Sequence, residues 1–392
     1  MELPPLELKQ QSMLHPARLL LLVLLTVFMV GCTELTSSQN WPGLSVEGET
    51  VYLAYGGGVA AFDAVEGRQL WQFPQEANPT LFFYAPPSIS DEQIVIGDYG
   101  ASSGMFSPGV RVSIYALDKE GQELWSDDTF AADRIIASPL QTDDAIYVAT
   151  NDNYVFAVDP DTRQELWRFE TGHSVYGQPL LDGEVLYVVS LDKRVYALNA
   201  SNGEVIWQTE LAGSIMNQPA LVGDHLFVSS FDHLLHRLNK SDGAEEWSFE
   251  TDDWLWAGPN VVDGVVYIGD LGGNLYALDA ETSDQIWLVE MPEAGSVQAA
   301  PVVVNDIVYF VLGQIDPDNE DQDAGTIVAL FIDDGSEVWR ETTRMPVFTQ
   351  PVVVGDALAV APSAPEDPVI FLYNLETGSQ QGTPLRPAGD NG

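Results

Sequence analysis

Apolar and polar positions alternate along most of the chain, and the alternation restarts about every forty residues. Residues 179–210 show one cycle. "PLLDGEVLYVVS" gives a short apolar run, an Asp-Gly pair and a second run; "LDKR" interrupts it; "VYALN" alternates again; "ASNG" interrupts, and "EVIWQTE" alternates once more. A period of two marks a strand with one buried face, and Asp-Gly between two such runs is a strong hairpin signal. Four antiparallel strands per cycle follow. Helical spacing is absent beyond the first thirty residues.

A proline opens each cycle: Pro42, Pro87, Pro139, Pro179, Pro219, Pro259, Pro301 and Pro351, eight in all. One four-stranded unit buries too little alone, and stacking it between neighbours covers both of its faces. The pattern predicts an all-β fold, an eight-bladed β-propeller of four-stranded antiparallel blades over 42–392. One chain closes the ring, so a monomer is expected.

The last strand of seven units carries a tryptophan: Trp71, Trp125, Trp167, Trp207, Trp247, Trp287 and Trp339. Gly382 stands at the same spacing in the eighth. Small residues such as Ala157, Ala197 and Ala277 leave room on the third strand. Periodic placement argues packing, so the indoles are expected to wedge blade against blade. Truncating such a side chain to alanine costs ~3–5 kcal/mol.

The N-terminus breaks the pattern. Arg18 precedes "LLLLVLLTVFMV" (Leu19–Val30), then Gly31 and Cys32. That run is too short to span a bilayer and suits a signal-peptide core over 1–31. "MVGC" (Met29–Cys32) resembles a bacterial lipobox, and Cys32 is the one cysteine in the chain, so it is the expected lipidation site. Residues 32–41 then form a polar tether. Met13 offers a second, more compact start. Thr33 provides no Asp-type retention signal. The expected location is extracytoplasmic, lipid-anchored to a bacterial membrane.

Fifteen Lys and Arg stand against 59 Asp and Glu, a net charge of −44. Such a surface repels phosphate backbones and anionic headgroups, which argues against nucleic-acid binding and against electrostatic membrane docking. High solubility explains the charge, as does adaptation to salt.

"YALNASNGEVIW" (Tyr196–Trp207) resembles the repeat of PQQ-type propellers. A departure occurs at Arg163, which replaces the repeat's glycine. The resemblance covers roughly 42–385 and implies the fold more than a function. One branch of these proteins, the quinoprotein dehydrogenases, holds PQQ and calcium in the channel, often against a disulfide of adjacent cysteines. A lone Cys32 outside the repeats does not fit that branch, and no cluster matches its calcium ligands and base. The other branch comprises non-enzymatic lipoproteins, the barrel-assembly (BamB-like) propellers, which bind partner proteins. Size, lipobox and unit count fit it. The resemblance therefore implies a non-catalytic protein-binding or assembly scaffold with no cofactor and an envelope or surface protein as partner. A PQQ-dependent oxidoreductase-like enzyme and a surface sugar- or peptide-binding sensor stay open as alternatives.

Strand alternation places the fourth-to-first and second-to-third connections on one face. The long insertions fall there: 73–86, 97–112, 313–326 and 361–368. Loops grown on one side of a rigid array are the usual carriers of a binding surface. Three residues before the anchor prolines stand Tyr84, Ile136, Tyr176, Met216, Trp256 and Phe348, with Gln39 and Gln298 breaking the series. With the nearby Trp254 they form a candidate ring around the channel mouth, suited to an extended partner segment. Packing between blades explains the same pattern.

Other constellations are weaker. Asp316, Asp318, Glu320 and Asp323 gather oxygens suited to calcium, but the run lacks the turn glycine and the terminal bidentate Glu, so a solvated loop is favoured. His233 and His236, read as strand neighbours, point to opposite faces. "YGGGVAAF" (Tyr55–Phe62) lacks the lysine and helix of a phosphate cradle.

Overall fold

Each anchor proline stands one residue before the first strand of a four-stranded antiparallel sheet. Proline lacks the N–H that a ladder needs, so it fits just outside a strand. The computed structural model describes residues 41–76, 78, 81–102, 110–315, 323–363 and 369–388. Eight such sheets follow in chain order. The fold is all-β, an eight-bladed propeller, with one short 3₁₀ turn at Pro292–Ala294 among the described residues.

Blade 4 shows the unit. Leu180–Asp182, Val185–Val189, Arg194–Asn199 and Val205–Glu210 pair in sequence order. Gly183 closes the first hairpin at φ 58°, where a side chain would be strained. Blade 2 departs from the pattern: Ala101–Ser102 and Val110–Arg111 add a small two-stranded hairpin to its second-to-third connection.

The core is divided into eight layers, one between each pair of neighbouring blades. Val155 and Trp167 of blade 3, for example, pack with Leu186 and Tyr196 of blade 4. Each blade is thus buried on both faces, which a single sheet in water cannot achieve.

The indoles lie in these layers. Trp167 Nε1 donates to the carbonyl of Ala200 in the next blade at 2.8 Å, and Trp207, Trp287 and Trp339 donate to Lys240, Ile332 and Leu375 at 3.0, 2.8 and 2.8 Å. Trp71 and Trp247 make the same bond to Lys119 and Ala280, at 2.8 and 3.3 Å. Trp125 differs: it donates to Gln93 Oε1 at 3.3 Å, and the Arg163 guanidinium lies 5.8 Å over its ring. A second-strand tyrosine accompanies most indoles, as Tyr187 does Trp207 with centroids 5.9 Å apart. The Tyr147, Tyr187 and Tyr309 hydroxyls donate to the carbonyl that already accepts the indole N–H.

Ring closure uses no shared strand. Leu44, Leu53 and Phe62 of blade 1 pack against Val354, Ile370 and Leu385 of blade 8, and Thr349 Oγ1 donates to the Pro42 carbonyl at 2.6 Å. Blade 8's outer strand, Gln380–Leu385, comes wholly from the C-terminal end. Register also moves the eighth wedge position. Leu372 pairs with Gln381 as Ala329 pairs with Trp339, because the bulge that precedes Trp339 is displaced in blade 8. Gln381, not Gly382, therefore holds the wedge position.

Candidate functional site

The fourth-to-first connections and second-to-third turns meet on one face, where backbone bonds tie them together. Leu191 N donates to Ser174 O, Phe231 N to Ser214 O and Leu271 N to Trp254 O, each at 3.0 Å. The chain leading into each innermost strand alternates along this rim. Phe83, Ile135, Val175, Ile215, Leu255, Val297 and Val347, four before the prolines, are 0% exposed. The next residue in each of these connections, Phe348 apart, keeps part of its side chain exposed. Tyr84, Ile136, Tyr176, Met216 and Trp256 are half-buried there, and Trp254 is 48% exposed.

Phe348 differs. It is buried, and its ring lies where a side chain on Gly313 would project. A bare glycine on blade 7's second strand draws that ring inward, so Phe348 packs rather than lines the rim.

Two arcs of aromatic side chains lie along this face. On one, Tyr84 and Tyr99 meet edge to face at 4.8 Å, and the Arg134 guanidinium lies 4.9 Å over Tyr99. Burial raises the Tyr176 hydroxyl above the usual phenol range, with Tyr99 adding to the rise. Beneath this arc Asp98 is buried, which pushes its carboxyl up to about 6 despite bonds from the Gly100 and Ser113 amides. On the other arc, Trp254 stacks on Phe231 at 5.8 Å, and Phe231 lies 5.7 Å from Trp256. Trp41, which enters blade 1, reaches this second arc and sits 6.4 Å from Trp256.

Tyr99, Arg134, Phe231 and Trp41 were not singled out by the repeat spacing. Tyr99 and Phe231 occupy corresponding places in second-to-third turns, as Leu191 and Leu271 do, and that column was the available signal.

His233 lies in a turn at φ 70°, so it is no strand neighbour of His236. His236 is buried, with Nδ1 2.8 Å from Glu245 and Nε2 3.3 Å from Asp232. Its imidazole is held by carboxylates on both nitrogens. Among the described residues, no group of three or more His, Cys, Asp or Glu is placed to hold a metal. Asp316, Asp318 and Glu320 lie outside the described residues, as does Cys32; Asp323 lies just before the third strand of blade 7.

The arrangement is an apolar and aromatic rim with few positive groups. Two solved structures share the architecture. BamB from Moraxella catarrhalis matches at TM-score 0.59 and 19% identity, over 78% of this chain and 88% of that one. The computationally designed Ika8 protein matches at TM-score 0.66 and 14% identity, over 90% and 98%. No curated protein matches the sequence. The outer membrane protein assembly factor BamB family matches residues 110–217 and 192–381, a span from the second blade to the last, and the chain belongs to that family.

Proposed function

We propose that this chain is a non-catalytic scaffold for protein assembly in the cell envelope, anchored by lipid on Cys32, and that the channel mouth is the face it presents to a protein partner. The observation that carries the reading is the rim. Tyr84, Ile136, Tyr176, Met216 and Trp256 keep part of each side chain exposed on the face that bears every long insertion. Family membership supports the assembly role, and the relative from Moraxella bears the name of an assembly factor.

The anchor adds a geometric constraint. Eight residues, and so nine Cα-to-Cα steps, separate Cys32 from Trp41. Fully extended they reach about 30 Å. Trp41 sits on the mouth face against Trp256. A lipid on Cys32 therefore keeps that face within about 30 Å of the bilayer, which suits a partner embedded in the outer membrane.

Deleting the gene tests the role. The expected result is a lower steady-state level of outer-membrane β-barrel proteins, restored by the wild-type chain and not by a Trp254→Ala variant that keeps close to the wild-type Tm. A Cys32→Ser variant should lose metabolic labelling by fatty acid. Saturable binding of PQQ with calcium, coupled to dye reduction, would overturn the non-catalytic reading.

A further inference from the structure

Seven of the eight seams between blades hold an indole, and the seam between blade 8 and blade 1 does not. In five of the filled seams, the glycine of the next blade's third-to-fourth turn lies against the ring. A Cβ added at Gly121, Gly203, Gly243, Gly335 or Gly378 would come within 2.5–2.9 Å of the Trp. Gly67 is the equivalent glycine of blade 1, with the same left-handed backbone (φ 66°), and nothing lies within 4 Å of its added Cβ. The same is true of Gly382. Ala359 takes the place of the second-strand tyrosine, and Leu372 and Gln381 take the places of the alanine and the indole.

The result is a cavity of about 440 Å³, open to solvent, on the face opposite the channel mouth. Ala64, Val65 and Gly67 form one wall, and Leu372, Gln381 and Leu385 the other. Val65 is among the most exposed apolar residues of the fold. The volume falls in the range of small-ligand sites. Ala64 is the residue whose counterparts, Ala200, Lys240 and Leu375, offer a carbonyl to an indole N–H and a tyrosine hydroxyl together. The other seams thus show which ring this slot is shaped to hold. Glu49, Glu66 and Asp356 line the same cavity, and Arg68 pairs with Glu66.

We infer that this seam receives a tryptophan side chain presented by a basic segment of a partner protein. The indole enters between the blade 8 outer strand and the Ala64–Gly67 turn, its N–H directed at the Ala64 carbonyl. Flanking Lys or Arg side chains meet the three rim carboxylates. This surface is separate from the channel mouth and does not depend on it.

Calorimetric titration of the full chain with acetyl-Lys-Trp-Lys-amide tests the inference, with acetyl-Lys-Ala-Lys-amide as the comparison. The tryptophan peptide should bind at least roughly tenfold tighter. A diazirine-bearing version should crosslink to 64–67 or to Gln380–Leu385. Gln381→Trp, which places the chain's own indole in wedge register, should raise Tm and abolish binding. Tyr176→Ala/Trp256→Ala should leave binding unchanged, which separates this slot from the mouth. Equal affinity for the alanine peptide would reduce the effect to charge attraction and overturn the inference. So would crosslinks at the mouth, or undiminished binding by a folded Gln381→Trp chain. If that variant does not fold, the peptide comparison and the crosslink map decide alone.

Discussion

Arg237 faces Trp247 across the outer ladder of blade 5, in the register position that alanine holds in six other blades. Blade 5 also has Phe227 where its neighbours have tyrosine, so the hydroxyl that would reach the next blade is missing. Arg237 supplies the donors instead. Its Nη1 donates to the carbonyls of Ala280 and Glu281 at 3.1 and 3.0 Å, and its Nη2 pairs with Glu281 at 2.8 Å. A charged side chain in the layer thus does the work of a phenol, and the looser repeat "LHRLNKSDGAEEW" reflects an exchange of partners.

Arg237→Ala should cost about 2–4 kcal/mol, because it empties part of the layer and leaves buried carbonyls with one donor fewer. Phe227→Tyr on that background should recover part of the loss, since Tyr187 in the preceding blade reaches the equivalent carbonyl of Lys240. A double-mutant cycle by thermal denaturation measures the recovery. Purely additive changes would mean that the tyrosine does not substitute for the arginine.

Gly203→Ala and Gly67→Ala should separate backbone strain from collision. Both residues have left-handed φ, 71° and 66°, so both substitutions carry the same strain of about 1 kcal/mol. Only at Gly203 does the new methyl meet an indole, 2.5 Å from Trp167 Cε3. Gly203→Ala should therefore cost about 2–4 kcal/mol in all, and Gly67→Ala only the strain. Equal shifts in Tm would refute the empty seam.

The period, the anchor prolines and the tryptophan wedges were legible because each recurs, and recurrence exposes packing. What recurrence could not show was how a departure is met elsewhere. Arg237 is read as an exception until Ala280 is seen beside it. Gln381 takes the wedge register because a bulge moved, which residue counting does not detect. Phe348 has the spacing of a rim residue, yet Gly313 decides its direction from another strand. Trp41 meets Trp256 more than two hundred residues away, beyond any local pattern.

His236 should make stability depend on pH near neutrality. Burial alone would lower its pKa, but hydrogen bonds to Asp232 and Glu245 outweigh burial and raise it above the ordinary imidazole value. Burial likewise opposes ionisation of Asp232, and His236 with the backbone amides still brings that carboxyl down to about 2. A raised histidine stabilises the fold fully below its unfolded value of ~6.5, and the contribution fades as pH rises through the folded value. The Asp232 contribution is present above its unfolded ~3.9 and is lost as pH falls toward 2. His236→Tyr should flatten the dependence above pH 6, because Tyr196 at the matching place donates to Asp192 without titrating near neutrality. Denaturant titrations at pH 5.5 and 8.5 on both chains measure the difference.

Alanine substitutions at Phe348, Trp256 and Trp254 should rank the rim residues by what each one packs against. Phe348 fills the space over Gly313 and is 9% exposed. Its loss leaves a cavity and should cost about 3–4 kcal/mol. Trp254, 48% exposed and stacked on Phe231, should cost under about 1 kcal/mol. Trp256 should fall between them, because Trp41 and Phe231 cover it from two sides while part of the ring stays open. Thermal denaturation gives the order. A partner contacting the mouth should respond in the reverse order of stability cost, with Trp254→Ala weakening binding at an almost native Tm and Trp256→Ala at an intermediate one. If binding tracked Tm across all three variants, the rim would be packing alone, and the contact surface would lie elsewhere on the disc.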